Sequence, residues 1–187
     1  RSGVQSPRTR GTFACKGVRV LARGVLFIHS CPPEVAAHLE WALARVFSTS
    51  VALAWEDQSA MPGSLRAEAA WEGEPGTASE IASALLNLEG VRFEVTEDPG
   101  PGSEGERFSA TPDLGLFRAS IGPHGDVVVH EDRLRTLAAL INQESQYSIS
   151  FVAQQIESLI GAPWDLELEP FRMASEPADA RLLHDAG

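Results

Sequence analysis

The chain has 187 residues, of which 26 are acidic and 15 basic, and its formal net charge is −11 at pH 7. Nucleic-acid binding and attachment to an anionic membrane surface both need a dense basic face, so the composition argues against both classes. Apolar residues make up 43% of the chain, which is typical of a folded domain and argues against wholesale disorder.

Residues 1–21 differ from the rest because they are basic and contain no acidic residue. The apolar run from Val18 to Ile28 is interrupted by Arg19 and Arg23, so it does not form the apolar region of a signal peptide. No stretch approaches the ~20 apolar residues of a membrane-spanning helix. We therefore expect residues 1–21 to be a disordered leader, and we expect the protein to be cytosolic.

The two cysteines, Cys15 and Cys31, have no His or Cys neighbour at a metal-ligand spacing. Their positions indicate neither a zinc site nor a disulfide framework. The sequence also lacks a phosphate-binding or dinucleotide-binding glycine motif. We therefore predict that the protein holds no metal and no cofactor.

Residues 22–98 show two helix-like and four strand-like patterns in the order βαββαβ. Val35, Leu39 and Leu43 recur at helical spacing after two prolines that suit a helix start. Alternation of apolar and polar residues indicates the strands. The predicted strands are residues 24–30, 51–56, 65–72 and 91–96, and the predicted helices run from Pro33 to about Phe47 and from Thr77 or Ser79 to Gly90.

This order predicts an α+β fold with a ferredoxin-like core. Two right-handed crossovers would place both helices on one face of an antiparallel sheet, with the third and fourth strands on either side of the first. The opposite face of the sheet would then carry the polar side chains of the alternating pattern.

Residues 99–174 are predicted to form a β-hairpin and helical extension that packs on this core. A Pro- and Gly-rich loop at 99–105 separates the two parts. We predict short strands at 106–109, 114–121 and 126–129, and helices at 133–141 and 149–160, with Gly161 ending the second. A further short helix would open at Pro163 and stop before Pro170, and residues 175–187 would form a frayed tail.

Four charged residues on the third and fourth strands are our leading candidates for a binding site. Arg66, Glu68, Arg92 and Glu94 would surround one face of the first strand. If the later part of the chain covers this face, the charges become partly buried and must pair. A cleft of this kind would suit a small acidic or zwitterionic ligand, or a protein, and it would make the chain a non-enzymatic binding or regulatory domain. The alternative is a structural ion-pair network.

The runner-up is a small enzyme with His29 and His38 as acid–base candidates. His29 lies at the end of the first strand, and Ser30 and Cys31 share the turn into the helix, where a thiol pKa can be lowered. In the structural interpretation, Ser30 caps the helix and Cys31 is a small buried residue. His38 would then form a patch with Trp41 at the boundary of the core.

A third hypothesis is a protein-interaction subunit that uses a sheet edge or the segment containing Trp164 and Phe171. A large exposed apolar patch would favour it. The sequence itself gives neither the partner nor the oligomeric state.

The chain also resembles an actinobacterial family, domain of unknown function 3145 (DUF3145), over roughly residues 22–185. The resemblance implies an actinobacterial, cytosolic setting, and it brings no established activity, cofactor or catalytic residue. The family pattern has alanine in place of Cys31, which weakens the cysteine-nucleophile hypothesis. The matching stretches are 23–30 (RGVLFIHS), 38–42 (HLEWA), 75–79 (PGTAS), 92–96 (RFEVT), 106–109 (ERFS), 125–126 (GD) and 163–172, which begins PWD.

Overall fold

The computed structural model describes residues 21–143 and 148–175, which form five helices and one seven-stranded sheet. The predicted leader (1–21, apart from Leu21) and tail (175–187, apart from Ser175) lie outside these residues. In chain order the elements are β1 (Ala22–Cys31), α1 (Pro33–Phe47), β2 (Glu56–Asp57), β3 (Leu65–Gly73), α2 (Thr77–Leu85), β4 (Arg92–Glu97), β5 (Gly105–Thr111), β6 (Gly115–Ile121), β7 (Val127–Val128), α3 (Glu131–Gln143), α4 (Ile149–Ile160) and α5 (Ala162–Ser175).

The sheet is antiparallel throughout, with the strand order β2-β3-β1-β4-β5-β6-β7. The α+β class is confirmed, and β1 lies between β3 and β4, as predicted for the third and fourth strands. β5 pairs directly with β4, so the later strands extend the same sheet beyond residue 98.

Helices α1 and α2 cover one face of the sheet and form the main core with it. The alternating strand pattern supplies the sheet side of this core, because successive side chains point to opposite faces. Its buried members include Leu26 and Ile28 on β1, Leu39 and Leu43 on α1, Ile81 and Leu85 on α2, and Phe93 and Val95 on β4.

The predicted second strand (residues 51–56) is largely wrong. Residues 51–55 have no regular secondary structure, and only Glu56 and Asp57 pair with β3. The Glu40 side chain explains the difference: its Oε1 accepts hydrogen bonds from the Leu53 N–H (2.8 Å) and from Trp55 Nε1 (2.9 Å). A side chain of α1 therefore binds this segment at the place where a strand would have bound β3.

The predicted end of the last helix at Pro170 is also wrong, because α5 continues through it to Ser175. An internal proline removes one hydrogen bond to the carbonyl four residues earlier, which here belongs to Leu166. Leu166 is 79% exposed, so this turn of α5 lies at the surface of the protein. Leu168 and Phe171, on either side of the proline, are buried and hold the helix against the sheet.

Candidate functional site

The second face of the sheet, opposite α1 and α2, carries a set of polar side chains that α5 covers. Cross-strand partners project to the same side of a sheet. Phe27 on β1 is the partner of Glu94 on β4, and Glu94 is in turn the partner of Ser109 on β5. His29 lies two residues after Phe27, on the same side, with its ring stacked on that of Phe27 at 6.0 Å. The pleat therefore brings residues from three strands together beneath α5.

The carboxylate of Glu94 is the centre of this set, and the residue is only 7% exposed. Its Oε2 lies 2.7 Å from His29 Nε2, and its Oε1 accepts a hydrogen bond from Ser109 Oγ at 3.0 Å. An ionised carboxylate only accepts hydrogen bonds, so His29 Nε2 carries the hydrogen in this contact.

Two arginines complete the coordination of Glu94. Arg107 on β5 donates from Nε (3.1 Å) and Nη2 (2.7 Å) to Oε1. Arg172 on α5 donates from Nε to Oε2 (2.9 Å) and from Nη2 to Oε1 (2.7 Å). Asp165, also on α5, accepts from Nη2 of Arg172 at 2.8 Å and from Nη2 of Arg107. Two carboxylates thus balance two guanidinium groups, and the cluster as a whole is neutral when His29 is neutral.

The electrostatics of the cluster keep Glu94 ionised. Burial alone would raise the pKa of Glu94, but the hydrogen bonds from His29 and Arg172 and the positive charges of Arg107 and Arg172 outweigh it. The pKa of Glu94 therefore lies well below its usual range. The hydrogen bonds to Asp165 and Glu94, and the negative charges of these two carboxylates, raise the pKa of Arg107 and of Arg172 against the opposing effect of burial. We call these six residues the Glu94 cluster: His29, Glu94, Arg107, Ser109, Asp165 and Arg172.

A second set of contacts ties Arg92 to α5. Arg92 Nε donates to Oε1 of Glu167 at 3.0 Å, and the other oxygen of Glu167 accepts from Thr111 Oγ1 at 2.7 Å. The guanidinium carbon of Arg92 also lies 5.3 Å from the centre of the Phe171 ring. Arg92 and Glu94, two of the predicted site residues, therefore both serve as attachment points for α5.

The other two predicted site residues lie apart from the Glu94 cluster. Arg66 donates a hydrogen bond from Nη2 to Glu56 Oε2 on β2, and Glu68 is exposed. Arg107, Ser109 and Arg172, which bind Glu94, and Asp165, which binds both arginines, are not among the predicted site residues. The apolar–polar alternation along residues 105–111 could have placed Arg107 and Ser109 on the same sheet face as Glu94. No sequence pattern within α5 indicates which surface it packs against.

The predicted catalytic candidates are not brought together. His29 is buried on the α5 side of the sheet, whereas His38 is exposed on α1, on the opposite side. Ser30 Oγ is buried and has no hydrogen-bond partner in the described part of the chain. Cys31 is buried, and burial together with the negative charge of Glu34 raises its pKa to about 11. Neither side chain has the activated environment that a nucleophile needs.

Within the described ranges, no group of three or more His, Cys, Asp or Glu side chains is arranged to hold a metal ion. Nor do those ranges contain a helix with the length and apolar character needed to cross a membrane. Trp164 and Phe171, the predicted partner anchors, pack inward instead. Trp164 Nε1 donates to the Gly115 carbonyl at 3.0 Å and its ring lies 5.1 Å from that of Phe117, while Phe171 is only 7% exposed.

Several exposed apolar side chains lie on α3 and α4, two helices that contact each other and that we call the α3–α4 hairpin. No described side chain of either helix is buried, although both helices have an apolar and a polar face. Ile149 is 91% exposed, and Leu134, Ile156 and Ile160 are 50%, 48% and 41% exposed. We call the side chains of Ile149, Ala153, Ile156 and Ile160 on α4 the apolar stripe, because their spacing places them along one face of the helix.

Two of the grooves outside the Glu94 cluster border α1. One, of about 580 Å³, lies between α1 and α2 and is lined by His38, Trp41 and Arg45 among others. The other, of about 470 Å³, lies between β3 and residues 49–53, with Leu43, Phe47 and Trp71 among the side chains that line it.

Comparison with known proteins gives one finding. A family model described as "Protein of unknown function (DUF3145)" matches residues 25–185, in agreement with the resemblance seen in the sequence. No curated protein and no solved structure matches the chain.

Proposed function

Because the chain belongs to the DUF3145 family, whose description assigns no activity, we propose a function from the geometry alone: this is a non-enzymatic interaction subunit that binds through its α3–α4 hairpin. The observation that carries the proposal is that no described side chain of these two amphipathic helices is fully buried, and that Leu134, Ile149 and Ile156 are about half exposed or more.

Both helices are short, so the exposure of their apolar side chains matters for their stability. Helix α3 has 13 residues and α4 has 12. Isolated helices shorter than ~12–15 residues are marginal in water, and most of their stability in proteins comes from packing of an apolar face. Within the described chain Ile149 is 91% exposed and Ile156 is 48% exposed, so a partner that covers them would stabilise the hairpin.

We take the partner to be a second copy of this chain, and the charge distribution supports that choice. From Thr136 to Ile156 the sequence has one charged residue, Glu144, whereas the whole chain carries −11. Two such acidic molecules repel one another over most of their surfaces, and the repulsion is least where the hairpins meet. Two hairpins packed about a two-fold axis would form a four-helix arrangement with the apolar stripes inside.

The test is the mass of the full chain in solution, measured by light scattering at micromolar concentration. We expect a dimer for the native sequence and a monomer for the double variant Ile149→Glu, Ile156→Glu. The matched control is Gln154→Glu, Ser158→Glu, which adds the same charge to the opposite face of α4 and should stay dimeric. A monomeric native chain, or equal effects of the two variants, would overturn the proposal.

The geometry gives less support to the small-ligand function predicted around Arg66, Glu68, Arg92 and Glu94. Glu94 has His29, Ser109 and two arginines within hydrogen-bond distance, so a ligand would have to displace one of them. The proposal keeps the cytosolic setting expected from the sequence.

We also propose that residues 22–98 form a ferredoxin-like unit to which the later strands were added. The order β2-β3-β1-β4 and the shared core of α1 and α2 support this assignment. An experimental structure that gave a different strand order would overturn it.

A further inference from the structure

We propose that the outer edge of β3 binds an extended peptide as an added strand, with apolar and basic side chains alternating along the peptide. This site lies on the main sheet and is independent of the α3–α4 hairpin.

The first observation is an unpaired strand edge. β3 pairs with β1 along its length, from Leu65 to Gly73, but its other edge pairs with β2 only at Leu65 and Arg66. From Ala67 to Gly73, that outer edge has no strand partner among residues 21–143 and 148–175. Protein sheets often protect such an edge with a proline, a bulge or charged side chains; residues 67–73 contain no proline and no bulge, and their charged side chains are Glu68 and Glu72.

The direction of the free backbone groups follows from the pairing of β1. The Arg23 carbonyl accepts from the Asp98 N–H on the β4 side, so the backbone groups of Gly24 and Leu26, one and three residues on, face β3. On β3, the N–H and C=O groups of Glu68, Ala70 and Glu72 then point outward, and all three residues are exposed.

The second observation is the 470 Å³ groove beside this edge. The segment at 51–55 would close it if it paired with β3, but Glu40 holds the Leu53 N–H and the Trp55 indole instead. Leu43, Phe47 and Trp71 line the groove, so it would accept aliphatic side chains from a strand laid along β3. Added strands are recognised in this way, by backbone hydrogen bonds and by pockets for alternate side chains.

The third observation is the charge on the other side of the same edge. Glu68 and Glu72 project to the face opposite Trp71, and the structure leaves both exposed. Glu72 also lies 3.4 Å from Arg23 Nε, in a solvent-exposed pair. Opposite charges across neighbouring strands stabilise their pairing, so lysine or arginine is expected at the peptide positions that face these carboxylates. Together, the edge, the groove and the two carboxylates define the alternating pattern.

The test uses the full chain and a series of fluorescein-labelled heptapeptides in which lysine alternates with valine, leucine or phenylalanine. Fluorescence anisotropy should show saturable binding of at least one member. A control peptide of the same composition, with all lysines before all apolar residues, separates strand pairing from general attraction to an acidic protein. It should bind about tenfold more weakly, because it cannot match the alternation and the backbone hydrogen bonds together.

Three further comparisons test the proposed geometry. N-methylation of alternate peptide amides, in both registers, should abolish binding in one register only, and this needs no change to the protein. Ala70→Pro, which removes an outward N–H, should weaken binding, whereas Ala70→Val should not. The double variant Glu68→Lys, Glu72→Lys should reverse the preference toward peptides with glutamate in place of lysine. Absence of saturable binding across the series, equal binding of the block peptide, or equal effects of methylation in both registers would overturn the proposal.

Discussion

Glu94 on β4 and Arg172 on α5 are 78 positions apart in the sequence and are joined by two hydrogen bonds, from Nε to Oε2 at 2.9 Å and from Nη2 to Oε1 at 2.7 Å. Such two-point pairing of a guanidinium with a carboxylate fixes the orientation as well as the distance of the two groups. It determines how the last helix lies on the sheet. Asp165, seven residues earlier on the same helix, accepts from the same Arg172 Nη2.

Loss of the Glu94 charge should destabilise the fold. Glu94→Gln leaves Arg107 and Arg172 with Asp165 as their remaining carboxylate in the Glu94 cluster. Removal of one member of a buried ion pair typically costs about 3–5 kcal/mol. Chemical denaturation at pH 7 should show a loss of this order, whereas Glu68→Gln, an exposed change on the same sheet face, should have little effect. Equal stability of the two variants would contradict the assigned role of the cluster.

The stability difference between the native protein and Glu94→Gln should depend on pH. The folded-state pKa of Glu94 lies below the value of about 4.3 expected when unfolded, so ionisation of this group favours folding. Its contribution is complete above the unfolded pKa and is lost as the pH falls toward the folded pKa. Denaturation curves should therefore show the gap between the two proteins narrowing below about pH 4. A gap that widens on acidification would contradict the low pKa.

The attachment of α5 should depend on Arg172. Arg172→Ala removes the contacts to Glu94 and to Asp165, and it leaves a buried carboxylate with fewer donors. Hydrogen-exchange mass spectrometry should then show that the substitution accelerates amide exchange in α5, relative to the native protein, more than it does in β1. The control is Arg135→Ala, since Arg135 pairs only with Glu131 on the surface of α3 among the contacts that the structure defines. Unchanged exchange in α5 after Arg172→Ala would show that apolar contacts alone hold it.

Gly24 on β1 should not tolerate a side chain. A Cβ added there would lie 1.7 Å from the Thr96 carbonyl oxygen and 2.6 Å from the Trp71 ring, so backbone would have to move. Gly24→Ala should lower the melting temperature clearly. Gly63→Ser is a useful contrast: an added Cβ meets nothing within 4 Å there, although the residue has a φ of +88°. The loss in free energy of unfolding caused by Gly63→Ser should come from backbone conformation alone and be of order 1 kcal/mol. A similar cost at both positions would contradict the close strand contact.

Cys31 should be unreactive in the folded protein. It is fully buried, and burial with the nearby charge of Glu34 raises its pKa to about 11, so little thiolate is present at pH 8. Peptide mapping after treatment with iodoacetamide should find Cys31 unmodified under native conditions and modified in denaturant. Rapid native labelling would contradict both the burial and the raised pKa, and it would reopen the nucleophile hypothesis for this turn.

Local sequence patterns predicted most of the helices and strands, but they failed for residues 51–56 and for the end of α5. The residues at 51–56 alternate like a strand, yet the partner that binds them is Glu40, a side chain one element earlier. Alternation reports which side chains are buried and not which backbone groups are paired. Pro170 is a helix breaker in isolation, yet α5 continues because Leu168 and Phe171 are buried on either side of it.

The candidate site shows the same limit. Arg92 and Glu94 were identifiable from their alternation with Phe93 and Val95, and the need of such charges for partners follows from burial. Arg107 lies on the next strand, but Arg172 and Glu167, which bind Glu94 and Arg92, are 78 and 75 residues away in the sequence. Which segment covers a sheet face depends on the docking of α5.

The sequence by itself determined the α+β class, the position of β1 between β3 and β4, and the family, because apolar periodicity and turn residues act over short distances. Only the tertiary structure decided that Glu94 is a buried anchor for α5, that α3 and α4 leave Leu134, Ile149 and Ile156 exposed, and that β3 keeps an open edge. Each of these depends on which distant segments meet, and burial, ion pairing and strand pairing are properties of both partners, not of either segment alone.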